Sequence, residues 1–261
     1  MTAIGKARRM ARLFRKSSGR MLCLPMDHGM MIGPAHGIAD PGPVLDAMDS
    51  AGVEAVIVGP GLLARHHKRF EGGPAIILRL DQTTMWRTGT PTGYADVQTR
   101  QVVSVEEAVQ MGAEAVITYL FTCNNDPVQE TACFTICADV ARDCRRFGLV
   151  HVIEAMAAKG GFAAADDPEI VSLNCRMAGE LGADILKTDW CGPAGFAKVA
   201  AQSLAPVAVA GGASGSDDAA LAAFAHQAIA SGASGLMFGR NVFQRDDMAG
   251  TLRTLSSIVH G

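Results

Sequence analysis

Apolar residues fall into eight short runs, each closed by turn-forming or polar residues: MLCLPMDHG from residue 21, VEAVIVGPG from 53, PAIILRLD from 74, AEAVITYLF from 113, LVHVIEAM from 149, ADILKTDW from 183, PVAVAGG from 206 and SGLMFGR from 234. Runs of this length, rich in Val, Ile and Leu, predict strands buried on both faces, as in a parallel sheet. Between most of them lie Ala-rich stretches with helical spacing, such as EIVSLNCRMAGELGA and DDAALAAFAHQAIASGA, several closing on Gly112, Gly182 or Gly232 as helix C-terminal turns. Eight strand–helix units predict a closed (β/α)8 barrel rather than an open doubly wound sheet, with one domain spanning 1–261. Two segments stand outside the repeat. The basic opening MTAIGKARRMARLFRKSSGR lacks the apolar centre of a secretory signal and is expected to form an N-terminal capping helix over 1–18. The connection over 82–104 is expected to be an irregular insertion serving as a lid or a subunit contact.

Composition narrows the function. The 261 residues suit a barrel of this type, and 49% hydrophobic with only 5% aromatic residues suits aliphatic strands under packed helices. A formal charge of −3 gives no electrostatic case for nucleic acid or an anionic membrane, which leaves small molecules as partners. No apolar stretch reaches the ~18 residues of a membrane span. Seven cysteines, an odd number, point to free thiols in a reduced cytoplasmic setting. Cys133 and Cys137 share a helical face but have neither a CxxC spacing nor a matched histidine, so no metal and no cofactor are expected. His66 and His67 read as part of a basic loop or helix start, and His151 and His226 as packed side chains.

A barrel carries its chemistry at the C-terminal ends of its strands. The runs end there in Asp27 and His28, Arg79 and Asp81, Tyr119, Glu154, Lys187 and Asp189, then Gly211-Gly212 and Gly239-Arg240. Glycines after the last two runs let backbone N–H groups approach an anion, and Arg240 adds a fork of donors, so these four residues are expected to hold a phosphate. Strand alternation groups Lys187 with Ile185 and Asp189, which turns the lysine into the barrel mouth. An amine placed there can attack a carbonyl and form an iminium that draws electrons from a carbon–carbon bond. The other reading is a structural ion pair with Asp189, Asp27 or Glu154, and spacing alone leaves both open. Trp190 is expected to wall the pocket, and Trp86 to sit either in a subunit contact or over substrate.

MDHG at 26–29, ILKTDW at 185–190, PVAVAGG at 206–212 and SGLMFGRNVFQ at 234–244, taken in this order, resemble the class I aldolase family. That family contains the archaeal-type fructose-bisphosphate aldolases, the aminodideoxyheptulosonate synthases and the thiolase acting on 3-hydroxy-5-phosphonooxypentane-2,4-dione. The resemblance spans nearly the whole chain, and the N-terminal GKARRMARLFRKSSGRMLCLPMDHGMMIGP looks most like the thiolase branch. It implies a (β/α)8 fold, a Schiff-base lysine at Lys187, an acidic residue at Asp27, and phosphate binding by Gly211, Gly212, Gly239 and Arg240. One departure stands out. The aldolases resemble one another in a tyrosine at the end of the fifth strand, whereas this chain has HVIEAMAAKGG, offering Glu154 and Met156.

The expected function is therefore a metal-independent Schiff-base lyase acting on a small phosphorylated ketone or sugar, as a homo-oligomer, with the proton moved by Asp27, His28 or Glu154. A pH limb between about 5 and 8 would suit His28 or a Glu154 raised by burial, and Tyr119 is the replacement phenol if neither serves. Thiolase or acyl-transfer chemistry on a phosphorylated dione, a metal-dependent aldolase, and a non-catalytic phosphate-ligand sensor with Lys187 as counter-ion are the alternatives.

Overall fold

Each of the eight apolar runs does form a strand, and alternation within them sorts side chains between the barrel axis and the surrounding helices. In the computed structural model, which describes residues 2–94, 96–212 and 217–261, the strands are β1 (Met21–Pro25), β2 (Ala55–Val58), β3 (Ala75–Arg79), β4 (Asp81–Thr83), β5 (Thr99–Gln101), β6 (Ala115–Thr122), β7 (Val150–Ala157), β8 (Ile185–Thr188), β9 (Val207–Ala210) and β10 (Gly235–Met237). All but β4 and β5 close into a parallel barrel in the order β1-β10-β9-β8-β7-β6-β3-β2. The helices are α1 (Thr2–Leu13), α2 (Gly29–Ile32), α3 (Gly42–Ala51), α4 (Pro60–His66), α5 (Val105–Gln110), α6 (Pro127–Phe147), α7 (Pro168–Glu180), α8 (Pro193–Gln202), α9 (Asp218–Ala230), α10 (Arg240–Phe243) and α11 (Met248–His260). None of them is long and apolar enough to cross a membrane.

Local chemistry sets the element boundaries. Asp126 and Asp167 each accept a hydrogen bond from the backbone two residues on and are followed by proline at the first helical position, which starts α6 and α7. Gly112, Gly182 and Gly232 take φ of 78°, 97° and 94° just beyond α5, α7 and α9, the left-handed turn that ends a helix at little steric cost.

The lower barrel is filled by Met21, Cys23, Ile57, Ile77, Ile117, Val152 and Ile185, and α1 closes its N-terminal end with the fully buried Leu13 flanked by Met10 and Phe14. Lys6 Nζ, 2.7 Å from Asp184 Oδ2, and Arg9, donating to the Gly148 carbonyl at 2.9 Å, tie α1 to that end. This capping helix is shorter than the expected 1–18, of which Met1 lies outside the described residues. It stops at Leu13 because Arg15 and Arg20 bridge across a turn through Gly19, and Glu54 captures the Arg15 guanidinium at 2.6 Å while accepting from the Leu22 amide at 2.8 Å.

The connection over 82–104 is more ordered than expected. β4 and β5 pair antiparallel, with Asp81 opposite Gln101 and Thr83 opposite Thr99, so it is a β-ribbon standing on the barrel rim. Asp81 thus belongs to the ribbon and lies beyond β3. Arg87 Nε, donating to the Met31 carbonyl at 2.9 Å, holds the ribbon over α2.

Close strand packing yields a stability prediction. At Gly235, a Cβ would lie 2.3 Å from the Met21 carbonyl oxygen of the neighbouring strand, a backbone atom with no room to yield. Gly235→Ala should cost ~1–3 kcal/mol, seen as a lower denaturation midpoint with an unchanged m-value.

Candidate active site

The inward positions change character along the strands. Val150 and Val152 give way to Glu154 and Met156 on β7, Ile77 to Arg79 on β3, Ile117 to Tyr119 on β6, and Ile185 to Lys187 on β8. The barrel is apolar below and ionic above. β7 and β8 pair with Glu154 directly opposite Lys187, and β6 and β7 with Tyr119 opposite Glu154, so three polar groups meet at one level.

Arg79 is the hub of that level. Its side chain is fully buried, with Nε 2.7 Å from Asp27 Oδ2, Nη2 2.5 Å from Glu154 Oε2, Nη1 3.3 Å from Asp81 Oδ1, and the guanidinium carbon 3.9 Å from the Tyr119 ring centre. The other oxygen of Glu154 lies 2.6 Å from Lys187 Nζ. Of the partners considered for Lys187, the structure selects Glu154, while Asp27 pairs with Arg79. The pairing is an ion pair in the resting protein and also places a proton acceptor against the amine.

Electrostatics follow from that hub. Burial pushes the Asp27 and Glu154 carboxyls up, but Arg79 on Asp27, and Lys187 with Arg79 on Glu154, outweigh it and hold both below the usual carboxylate range. Glu154 is therefore not the raised acid expected from the sequence; its two cationic neighbours reverse the effect of burial. His28 moves down to about 4, because burial outweighs the attraction of Asp27, so its imidazole is neutral at ordinary pH. Asp27 Oδ1 is 3.8 Å from His28 Nδ1, beyond hydrogen-bond reach, and Nδ1 is buried with no partner among the described residues. Burial also raises the Tyr119 phenol well above its ordinary value despite Arg79.

These residues open onto a cavity of about 390 Å³. Asp27, His28, Glu154 and Lys187 line one part of it, and Gly211, Gly212, Gly239 and Arg240 another, so every site residue expected from the sequence reaches the same space. The glycines are more than turns. A Cβ on Gly211 would lie 2.9 Å from Asn241 Nδ2, one on Gly239 would lie 2.7 Å from His28 Cε1, and Gly212 takes φ of 68°. Arg240 donates to the Gly212 carbonyl at 2.8 Å, which joins the two loops.

Of the two tryptophans, Trp86 takes one of its two expected places, while Trp190 does not wall the pocket. Trp86, at the base of the ribbon tip, lines the cavity, and Lys159 Nζ sits 4.3 Å over its ring. Trp190 packs instead against Phe196 and Phe224, since it falls on the opposite parity to Lys187 and Asp189 and faces the helices. Lys159 itself lay outside the sequence expectations. Burial and then Arg240 lower its affinity for a proton, and the only signal in the sequence was a lone cation in AAKGG at a strand end. The central place of Arg79 was also missed, although a charged residue closing AIIL is a recognisable anomaly.

With this geometry in hand, likeness to known proteins is specific. A family model described as DeoC/LacD family aldolase matches residues 21–245. The chain is 32% identical to a 2-amino-3,7-dideoxy-D-threo-hept-6-ulosonate synthase of Halobacterium salinarum, over all of this chain and 93% of that one. It is 31% identical to a class 1 fructose-bisphosphate aldolase of Thermoproteus tenax, over 93% of this chain and 90% of that one. A solved Schiff-base-forming fructose-1,6-bisphosphate aldolase superposes with a TM-score of 0.85 at 29% identity, covering 97% of this chain and 99% of that one. Fold and likeness together define a (β/α)8 carbon–carbon lyase of the Schiff-base type. The chain belongs to the DeoC/LacD aldolase family.

Proposed function

We propose that Lys187 is the Schiff-base lysine and that the substrate is a small phosphorylated ketone or sugar, processed without metal or cofactor. The observation that carries this reading is the 2.6 Å contact of Lys187 Nζ with Glu154 in a cavity that the two glycine loops and Arg240 also line. Glu154 accepts the ammonium proton. The freed amine adds to the ketone, water leaves, and the iminium accepts the electron pair of the adjacent carbon–carbon bond, leaving an enamine. Asp27 holds Arg79 in place and Arg79 holds Glu154, so the acceptor is oriented before substrate arrives. His28, neutral at ordinary pH, offers an uncharged hydrogen-bonding ring at the same wall. A homo-oligomer in the cytoplasm is part of this reading, supported by seven buried free thiols and by the exposed apolar Phe162 and Val128.

Gly211, Gly212, Gly239 and Arg240 take the phosphate. Arg240→Ala should weaken apparent substrate affinity by ~1.5–3 kcal/mol, and inorganic phosphate should compete with substrate in the wild type but poorly in the variant. Unchanged affinity would place the anion elsewhere. Turnover of a panel of phosphorylated ketones and sugars in the presence of EDTA tests the class of chemistry. Undiminished rates are expected, and loss of activity restored by a divalent metal contradicts the reading. Cleavage of a phosphorylated dione by a thiolase-like route is the second reading, favoured by Met156 lining the cavity at the strand end where the resemblance to the aldolases implies a tyrosine; acyl rather than aldehyde products identify it.

A further inference from the structure

Asp189 follows the last residue of β8 and continues the parity of Ile185 and Lys187. It lines the same cavity as Lys187, Glu154 and Met156. The neighbouring carboxylates are committed: Asp27 to Arg79, and Glu154 to Arg79 and Lys187. Asp189 differs from them, because its Oδ2 is shut off from solvent and has no hydrogen-bond partner among the described residues. We infer that Asp189 carries the proton in the cleavage step, in place of the phenol that Met156 does not supply.

The inference rests on the Schiff-base reading of Lys187. Once the iminium has formed, the Asp189 carboxylate takes the proton of the hydroxyl on the carbon that will leave. The O–H electron pair becomes the second bond of the departing aldehyde, and the carbon–carbon pair moves onto the iminium to give the enamine. Protonated Asp189 then returns its proton to the enamine carbon, and water hydrolyses the restored iminium. The carboxylate ends as it began, so atoms and charge balance without a co-reactant.

The charges facing Asp189 suit that cycle. Glu154 on β7 repels its ionised form, Lys187 on β8 and Lys159 after β7 attract it, and Asp166 before α7 adds repulsion. Burial first, and Glu154 next, raise it to about 7, where gain and loss of a proton are both accessible. Asp81 is also raised by burial, to about 6, but it accepts from the Tyr119 amide at 2.6 Å and from Arg79 and is not among the residues lining the cavity.

Dihydroxyacetone phosphate serves as a single probe of both steps in the full chain: borohydride trapping reads imine formation, and exchange of its α-hydrogen in D₂O reads proton transfer at the enamine carbon. Asp189→Asn should trap imine like the wild type while exchange falls ~10²–10⁴-fold and loses the wild-type decline below about pH 7. Asp189→Glu should restore part of the exchange with a displaced pH limb. Exchange at the wild-type rate in Asp189→Asn, an unmoved limb in Asp189→Glu, or loss of trapping together with exchange in both variants overturns the inference. Absence of trapping in the wild type with dihydroxyacetone phosphate and with every other phosphorylated ketone of a panel is a different failure, which removes the Schiff-base reading and this inference with it.

Discussion

Lys187→Ala is expected to abolish borohydride trapping and to lower turnover by ~10⁴-fold or more, because the proposed nucleophile of the covalent intermediate is gone. The variant on its own does not separate chemistry from packing. Lys187 is buried and ion-paired with Glu154, so alanine also leaves a carboxylate short of one cation. Lys187→Arg separates the two. It keeps a positive charge against Glu154 but has no amine that can be deprotonated and add to a carbonyl. The arginine variant should therefore fold with a cooperative transition and remain as inactive as the alanine one. Turnover within tenfold of wild type in either variant would contradict the assignment of Lys187, and a rescue seen only in Lys187→Arg would favour the counter-ion role.

Arg79→Leu should produce the largest loss of stability, ~3–5 kcal/mol, since it removes the cation that Asp27, Asp81 and Glu154 share inside the barrel. Folding then requires either burying carboxylates without compensation or protonating them. The sign of the pH effect follows. Asp27 and Glu154 are held below the usual carboxylate range in the native state, so their contribution is present above the unfolded values near ~4 and is lost as pH falls through the folded ones. Arg79→Leu lacks this contribution at neutral pH. Its deficit should narrow as the medium is acidified and the orphaned carboxyls take up protons. Denaturant titrations of both proteins at neutral and acid pH measure the gap; a gap that widens in acid contradicts the hub. Activity should fall too, because Glu154 would lose the partner that aims it at Lys187.

What could be read in the sequence, and what could not, divides along the range of the interactions. The eight strands announce themselves through local periodicity, and the Asp-Pro pairs at 126–127 and 167–168 mark helix starts within two residues of their own hydrogen bonds. Parity within ADILKTDW places Lys187 and Asp189 inward, and the same parity turns Trp190 outward, so its packing against Phe196 and Phe224 was legible even though it was expected in the pocket. The partners of Arg79 were not legible. They lie 52 residues before it and 75 after it as well as two residues on, and which strand ends share a level depends on the stagger of the closed barrel. The end of α1 is similarly non-local, set by Glu54, and the ribbon formed by β4 and β5 depends on pairing between short segments with little apolar alternation of their own.

Met156 supplies the contrast that makes Asp189 informative. A thioether in the cavity cannot carry a proton, and the carboxylates with the shortest contacts to cations are held in their charged form. What remains for the proton of the proposed cleavage step is a half-buried acid with a buried, unpartnered oxygen two residues after the lysine. On the proposed reading, one strand end divides the labour, with Lys187 for covalent chemistry and Asp189 for the proton of the cleavage step.

The most direct measurement of the central claim is peptide mapping by mass spectrometry after borohydride reduction in the presence of a panel of phosphorylated ketones. The account predicts one substrate-dependent adduct, on the peptide containing ILKTDW, with the added mass located on Lys187. An adduct on Lys159 instead, or no adduct with any ketone under conditions of full turnover, would contradict it.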